Sequence, residues 1–259
     1  MEREYHVYNL SGGKDSVALV LRAMELHYPM THVVFYDGGM EFKAIYSVIE
    51  KLRPVIEAYG AKFVYLRPDT DFLFDMLVRP VNYGKSTQHY GYAWCGGCTR
   101  WRTSHKVTKI NEFLNTLDGK ATQYVGIALD EPERIKENGT VYPLVDLRMT
   151  ENDCLEYCYN NGIHWYEKTS ATESGYVDLY QILARVSCFC CQNKRRGELY
   201  NIYHYFYDTY WAYLKGMQSK IDIPFRSDGR TIFDLEREFK NLDLNKPMAM
   251  DKSWFKACY

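Results

Sequence analysis

The stretch NLSGGKDSVAL near the start of the chain places two glycines, a lysine, an aspartate and two serines between apolar residues. Gly12 and Gly13 permit positive φ and a close approach of the backbone to a ligand. Lys14 supplies a full positive charge, and the hydroxyls of Ser11 and Ser16 can donate hydrogen bonds. Where such a turn joins a strand to a helix, backbone N–H groups and the helix dipole favour a bound phosphate. The segment therefore predicts a phosphate site, and an ordinary strand-to-helix turn is the other interpretation.

The aspartate of this loop adds a second element to the prediction. Asp15 alone would repel a phosphate, so we expect Mg²⁺ to accompany the ligand. The pattern differs from the Walker loop, which has four residues between its first glycine and Gly-Lys-Ser/Thr. It also differs from the dinucleotide fingerprint, which has three spaced glycines. The two commonest phosphate loops are therefore excluded.

Two C-x-x-C pairs stand out among the eight cysteines. Such a turn lets two thiolates bind one metal ion, and two turns complete a tetrahedron. We therefore predict one metal centre at Cys95, Cys98, Cys188 and Cys191, although Cys190 could replace either neighbour. Thiolates accept both Zn²⁺ and iron–sulfur clusters, so the spacing leaves the metal open. Separate buried or redox-active cysteines are the alternative.

Other chemically capable residues are interpreted as structural. Cys154 and Cys158 lie one helical turn apart and are expected to be buried small side chains. Four tyrosines recur at helical spacing, which favours core packing over a platform for stacking bases; they are Tyr200, Tyr203, Tyr207 and Tyr210.

The elements that must position these residues alternate between strand-like and helix-like patterns. Strands are predicted at residues 5–10, 32–36, 62–66 and 122–127, and helices at about 17–24, 42–59 and 71–78. Pro54 should kink or divide the second helix, and Gly60 should end it. This order implies an α/β fold with a mostly parallel twisted sheet and helices on both faces.

The rest of the chain is less regular. Residues 80–94 are predicted to form a long loop of the kind that often acts as a lid. Thr150 and Asp153 have the spacing of a capping box, and Gly162 should end the helix that follows. From about residue 194 the chain is predicted to be helical and aromatic.

A soft domain boundary is predicted near residue 148. Residues 1–148 would form the nucleotide-binding α/β domain with an inserted cysteine-rich loop. Residues 149–259 would form a helical C-terminal region that carries the second cysteine cluster.

Composition narrows the class of protein. A hydrophobic content of 46% and a charged content of 25% are typical of a folded globular protein. The net charge of −1 does not by itself indicate nucleic acid or a membrane surface. No apolar run approaches the roughly 18 residues of a spanning helix, and MEREYHVYNL lacks the features of a signal peptide. We therefore expect a cytoplasmic protein without a membrane segment, in which structural disulfides are disfavoured.

With these motifs in place, the chain resembles the phosphoadenosine phosphosulfate (PAPS) reductase superfamily of the adenine nucleotide α-hydrolase type. SGGKDS looks like the loop of the ATP pyrophosphatases, and four later stretches resemble family elements in the right order: FYDGGMEF, GIALDEPER, PLVDLRMTENDCLEYC and LYQILARVSCFCC. The resemblance runs from about residue 5 to 195. It implies an adenine nucleotide at the carboxyl ends of parallel strands.

The resemblance also implies roles for individual residues. It implies Lys14 and Asp15 as catalytic residues, Asp37 at ribose or magnesium, and Arg134 as an anion clamp. The other interpretations are a turn residue for Asp37 and a solvated charge for Arg134. Phosphate binding would fall to Ser11, Gly12, Gly13, Lys14, Asp15 and Ser16.

The activity implied first is an ATP pyrophosphatase, which uses ATP with Mg²⁺ and adenylates an acceptor, with sulfur transfer from a donor protein as a further step. Basic runs at residues 98–109 and in NKRRG favour an anionic acceptor, a nucleic acid or a sulfonucleotide, or else a solvated helix face. The alternatives are a sulfonucleotide (PAPS or adenylyl-sulfate) reductase and a non-enzymatic nucleotide-binding partner protein. Such reductases use a cysteine near the C-terminus, but the tail around Cys258 lacks their Glu-Cys-Gly-Leu-His context. Adenylyl-sulfate reductases hold a [4Fe–4S] cluster with an adjacent cysteine pair, whereas Cys95 and Cys98 are spaced.

Overall fold

The computed structural model describes residues 3–96 and 100–242, which fall into two compact units. The first unit contains the chain up to Pro68 and the segment Thr103–Trp165. The second contains Asp69–Arg102 and the residues from Tyr166 onward. The compact units are thus discontinuous in sequence, and the domain boundary near residue 148 stays a prediction.

The secondary structure follows the chain in a regular order. The elements are β1 (Arg3–Leu10), α1 (Lys14–Glu25), β2 (His32–Tyr36), α2 (Lys43–Ala58), β3 (Lys62–Leu66), α3 (Phe72–Leu77), β4 (Pro80–Val81), β5 (His89–Tyr90), α4 (Trp101–Leu114), β6 (Gly119–Val125), α5 (Pro143–Asp146), α6 (Glu151–Asn160), β7 (Tyr166–Lys168), β8 (Tyr176–Asp178), α7 (Leu179–Ile182), α8 (Arg196–Tyr205), α9 (Ala212–Gln218) and α10 (Ile232–Lys240). A 3₁₀ turn covers Pro132–Arg134, and a π-helical turn covers Tyr207–Trp211.

A four-stranded parallel sheet forms the centre of the first unit, in the order β3-β2-β1-β6. Val7 of β1 is in register with His32 of β2, which is in register with Lys62 of β3. On the other side of β1, Arg3 is in register with Gly119. The predicted parallel α/β fold is confirmed.

Helices cover both faces of this sheet. On one face, Val7 and Val34 pack with Ile110 of α4 in a buried cluster. Side chains alternate across a strand, so Phe35 points to the opposite face. There its ring contacts Tyr46 of α2 edge-on, with ring centroids 6.4 Å apart. The sheet is therefore shielded on both sides, as expected for parallel strands.

Two expectations about local structure are corrected. Helix α2 is one continuous helix with Pro54 inside it. Pro54 and Glu50 both lie on the exposed side, where water can solvate the Glu50 carbonyl that loses its helical partner. Residues 80–94 are also not a plain loop, because β4 and β5 form an antiparallel pair there. Strands of two residues are too short to leave an alternating pattern.

The helix ends and the aromatic C-terminal part follow the predictions. Thr150 and Asp153 form the capping box of α6, and Gly162 follows that helix with a φ of +68°. In the second unit, Tyr200, Tyr203 and Tyr210 are buried, which confirms packing as their role. None of the helices in the described ranges is both long and apolar enough to cross a membrane.

Candidate functional site

The glycine-rich loop joins β1 directly to α1. Gly12 has a φ of +79°, and a Cβ there would lie 2.8 Å from Cγ2 of Ile45, so a side chain is excluded on two grounds. The hydroxyl of Ser16 donates to the Gly13 carbonyl at 3.0 Å and accepts from the Ser11 N–H at 3.0 Å. Ser16 is buried, whereas Ser11 is exposed. In this structure the serine hydroxyls shape the loop.

Buried groups from the end of the first unit hold the loop from behind. The indole N–H of Trp165 donates to the Gly12 carbonyl at 2.7 Å, and the thiol of Cys158 contacts the Lys14 carbonyl oxygen at 3.4 Å. Burial raises the pKa of Cys158 to about 12 and also raises the pKa of Cys154. Both thiols are fully buried and stay protonated near neutral pH, which confirms that they are packing residues.

Gly126 brings the chain after β6 into direct contact with the loop. A Cβ at this position would lie 2.8 Å from the Asp15 carbonyl carbon and oxygen and 2.9 Å from Cα of Ser16. These are backbone atoms, which cannot swing aside as a long side chain can. Glycine at 126 is therefore required by the close approach.

We expect Gly126→Ala to lower the free energy of unfolding by about 1–3 kcal/mol, because the added methyl group overpacks this contact. Gly216→Ala is the matched control, since Gly216 lies within α9 and a methyl group added there would have nothing within 4 Å. That change should be neutral or stabilise by about 0.5–1 kcal/mol. Urea unfolding measures both, and equal effects would contradict the assigned contact.

A charged cluster surrounds the first residue of α1. The ammonium of Lys14 lies 3.2 Å from Oδ1 of Asp15 and 3.4 Å from Oε2 of Glu151. Burial by itself lowers the pKa of Lys14, but the charges of the two carboxylates outweigh it and leave that pKa raised. Burial raises the pKa of Asp15, and the charge of Glu151 adds to the effect against the opposing charge of Lys14. Lys14 is therefore a protonated, buried cation.

Three carboxylates meet at this point. Oxygen atoms of Asp15, Glu131 and Glu151 all lie within 4.8 Å of one another. Glu131 is fully buried and accepts a hydrogen bond from Arg134. Hard oxygen donors at this spacing fit Mg²⁺, which prefers carboxylates and keeps several waters. The donor set therefore fits the magnesium expected beside the phosphate loop.

Glu131 and Glu151 are the residues that sequence reasoning missed. The sequence pattern indicates Glu131 only as a charge beside Arg134, and Glu151 only as a residue within the α6 helix start. One signal was available for each. Glu131 follows shortly after a predicted strand, where parallel sheets place their sites, and Glu151 is the first residue of a capped helix.

Two further cations belong to this part of the first unit. Arg134 ends the 3₁₀ turn, is about half exposed, and its charge lowers the pKa of Asp15. Lys106 lies on α4 one turn before Ile110 and is half-buried. Burial lowers the pKa of Lys106, the charge of Arg134 adds to this, and Glu41 opposes it. The predicted role of Arg134 as an anion clamp stays a prediction.

Asp37, at the end of β2, is enclosed by donors. Its carboxylate accepts from the Gly39 N–H at 2.7 Å, the Tyr46 hydroxyl at 2.7 Å, the Tyr65 hydroxyl at 2.6 Å and Nε of Arg67 at 3.2 Å. Burial acts to raise the pKa of Asp37, but these hydrogen bonds outweigh it and leave that pKa lowered. The observed contacts are those of a residue that shapes the turn, and a role at ribose or magnesium stays a prediction.

We expect Asp37→Asn to lower the free energy of unfolding at neutral pH, because an amide cannot accept from all these donors. The lowered pKa means that the ionised carboxylate stabilises the fold above the usual aspartate pKa of 3.8. This contribution is lost as the pH falls through the lower folded value, so the gap to wild type should narrow below about pH 4. Denaturant unfolding from pH 7 to pH 3 measures it, with Asp146→Asn on the exposed side of α5 as control. A gap that is independent of pH would contradict the assignment.

The second unit brings the two cysteine segments together. The N–H of Gln192, next to Cys191, donates to the Cys95 carbonyl at 3.3 Å, and the N–H of Cys191 donates to the Cys188 carbonyl at 3.3 Å. A hydrogen bond with Cys188 raises the pKa of the Cys191 thiol, and burial acts in the same direction. Burial also raises the pKa of Cys95, and the charge of Cys191 contributes. Cys95, Cys188 and Cys191 therefore share one neighbourhood.

Cys190 has different surroundings. It is only 1% exposed, and Tyr213 is near enough for the charge of Cys190 to raise the pKa of its phenol. No such interaction links Cys190 with Cys95 in the described part of the chain. These contacts favour Cys191 over Cys190 as the ligand. Cys98 and Cys258 lie outside the described residues.

Comparison with known proteins bears on the family. The family profile of the phosphoadenosine phosphosulfate reductase domain matches residues 5–166. The chain belongs to this family. The match includes the phosphate loop, Asp37, Arg134 and Cys95, whereas Cys188 and Cys191 follow the matched PAPS reductase domain.

Two individual proteins resemble this PAPS reductase family member. The uncharacterized protein MJ0066 of Methanocaldococcus jannaschii is 22% identical over 198 residues, which are 74% of this chain and 37% of that protein. The chain thus spans well under two thirds of the length of this curated relative. The U34-tRNA thiolase NcsA from Methanococcus maripaludis, solved with its [4Fe–4S] cluster, is 15% identical with a TM-score of 0.40. That alignment covers 62% of this chain and 57% of the thiolase.

Proposed function

We propose that this protein is an ATP pyrophosphatase that cleaves ATP between the α and β phosphates and transfers AMP to an acceptor oxygen. The observation that carries the proposal is the position of Lys14. It is a buried, protonated lysine at the first residue of α1, directly after two glycines and beside three carboxylates. A helix start, loop amides and a lysine together stabilise a polyphosphate leaving group.

The charge balance of the site supports a requirement for magnesium. The carboxylates of Asp15, Glu131 and Glu151 outnumber the two cations that pair with them, Lys14 and Arg134. A nucleotide polyphosphate would add several more negative charges. When bound by these carboxylates, Mg²⁺ would supply charge neutralisation between them and the phosphates. ATP binding should therefore be lost in EDTA.

The chain's own groups would divide the work of the reaction. The acceptor oxygen attacks the α phosphorus, the bond to the bridging oxygen breaks, and pyrophosphate leaves with the electron pair. Loop amides around Gly13 and the ammonium of Lys14 would hold the β and γ phosphates and stabilise the charge that develops there. Positioning and charge neutralisation account for this chemistry, since no covalent step on the protein is required.

The cysteine centre of the second unit belongs to the same proposal. Cys95, Cys98, Cys188 and Cys191 would hold either Zn²⁺ or a [4Fe–4S] cluster, and thiolate donors suit both. The contacts between Cys95, Cys188 and Cys191 support one shared centre. A sulfur-donor protein as partner and a cytoplasmic location remain parts of the proposal.

The test identifies the products of ATP. The full chain is purified anaerobically and incubated with Mg²⁺, labelled ATP and a panel of candidate acceptors, and the nucleotides are separated by chromatography. AMP and pyrophosphate, formed only with Mg²⁺ and an acceptor, would support the proposal. ADP with phosphate would contradict it, and unchanged ATP with every acceptor would favour a nucleotide-binding partner protein.

Membership in the PAPS reductase family supports a second candidate, sulfonucleotide reduction. The same preparation should be assayed for sulfite release from PAPS and from adenylyl sulfate with a dithiol reductant. We expect no release, because the residues around Cys258 differ from the reductase context. Sulfite production that disappears in Cys258→Ser would establish the reductase instead.

A further inference from the structure

The hairpin formed by β4 and β5 in the second unit, residues 80–90, is an ordered projection that the phosphate chemistry does not use. We call it the tyrosine hairpin. Its turn is closed by the Lys85 N–H, which donates to the Asn82 carbonyl at 3.0 Å. Side chains brace the tip, since Gln88 accepts from the Gly84 N–H at 3.0 Å and the Asn82 amide donates to Thr87 at 3.2 Å. The tip therefore presents its side chains in a defined arrangement.

Both ends of the tyrosine hairpin are anchored to α3 and the residues after it. The N–H of Gly91 donates to the Arg79 carbonyl at 2.8 Å, and the N–H of Tyr92 donates to the Asp75 carbonyl at 2.9 Å. The Arg79 side chain in turn donates to the buried Asp75 carboxylate at 2.6 Å. The base of the hairpin is thus held by the unit.

The aromatic side chains of the hairpin point into solvent. Tyr83 is 80% exposed and Tyr90 is 67% exposed, the highest values among large hydrophobic side chains in the described residues. Rings that contribute so little to the core have no packing reason to be aromatic. An exposed ring on a braced scaffold has instead a flat face available to a ligand.

The charge of the segment is one-sided. Between Asp75 and Glu112 the sequence contains no aspartate or glutamate, although the whole chain has a net charge of −1. The same interval contains six lysines and arginines: Arg79, Lys85, Arg100, Arg102, Lys106 and Lys109. Lys85 is exposed at the hairpin tip, two residues from Tyr83. The local charge therefore favours an anionic ligand.

A second hairpin of the same unit provides a contrast. The pair β7–β8 also exposes two tyrosines, Tyr166 at 56% and Tyr176 at 53%. Its sequence carries three acidic residues, Glu167, Glu173 and Asp178. Exposed tyrosines are thus common to both hairpins, whereas only the tyrosine hairpin combines them with a positive, acid-free segment.

We propose that the tyrosine hairpin binds single-stranded nucleic acid, with bases stacked on Tyr83 and Tyr90 and a backbone phosphate at Lys85. Every base has a face that can stack on an aromatic ring, and a duplex keeps these faces covered. Lysines that contact phosphates release counterions, which adds salt-dependent affinity. The inference rests on the proposed function in one respect, that the bound strand would be the acceptor for AMP.

The test measures binding by fluorescence anisotropy, using the full chain, labelled single-stranded RNA and DNA of mixed sequence, and no ATP. We expect Tyr83→Ala and Tyr90→Ala each to weaken binding about tenfold or more, and Tyr83→Phe to retain most of the affinity because it keeps the ring. Lys85→Ala should reduce the slope of log affinity against log salt by about one. Tyr176→Ala on the second hairpin is the matched control and should bind as wild type does.

Other outcomes would overturn the assignment. Absence of binding by wild type, tighter binding of duplex than of single strands, or an equal loss in Tyr176→Ala would each do so. Because the assay contains no ATP, its failure is separate from failure of the proposed reaction. Lys14→Ala should bind the oligonucleotide normally, so loss of catalysis and loss of nucleic-acid binding are distinguished in the same set of variants.

Discussion

Lys14→Ala is expected to slow formation of AMP and pyrophosphate from ATP about a hundredfold or more. Removing one preorganised contact to charge that develops in a transition state typically costs about 2.7–4 kcal/mol, and each 1.36 kcal/mol is about tenfold in rate. Lys14 is buried and held between Asp15 and Glu151, so it meets the phosphate with little reorganisation. Single-turnover assays with saturating ATP and Mg²⁺ measure the effect.

Controls separate this catalytic effect from damage to the fold. Lys14→Ala leaves two neighbouring buried carboxylates without this ammonium, so thermal unfolding and cysteine-bound metal content must be measured beside activity. Lys109→Ala removes a lysine that pairs with Glu112 on α4, and it should change turnover little. If Lys14→Ala retains wild-type turnover, the assigned role of the loop is wrong.

Cys191→Ser is expected to remove most of the bound metal. A tetrahedral thiolate site that loses one of four ligands, with a weaker hydroxyl in its place, loses much of its affinity. Protein purified anaerobically should fall from about one centre per chain to near zero, measured by elemental analysis. The wild-type spectrum also identifies the centre, since broad absorption near roughly 400 nm with iron and sulfide indicates a cluster, and colourless stoichiometric zinc a structural site.

The adjacent residue is a matched control for this prediction. Cys190 is buried beside Tyr213, and Cys190→Ala should therefore keep the metal while costing some stability. The reverse pattern, in which Cys190→Ala loses the metal and Cys191→Ser keeps it, would show that the ligand was assigned to the wrong neighbour. Wild-type protein without any metal would contradict the centre itself.

Local patterns in the sequence determined the scaffold of the first unit. The runs HVVFY and KFVYL predict β2 and β3 with the bounds that the structure has, because short apolar runs between turn residues leave few alternatives. The capping box at Thr150 is equally local, since its partners lie three residues apart. The same holds for the glycine loop, in which Gly12, Gly13 and Lys14 are neighbours in the chain. These features depend on residues that are close in sequence.

Only the tertiary structure decided which distant side chains meet. Glu131 and Glu151 lie more than a hundred residues after Asp15, and their carboxylates converge on it because β6 pairs with β1 and α6 packs on α1. The donors around Asp37 likewise come from α2 and β3, and the choice between Cys190 and Cys191 depends on which way each thiol faces. Strand order and helix packing set these distances, and they result from burial summed over the whole unit, which a motif of a few residues does not contain.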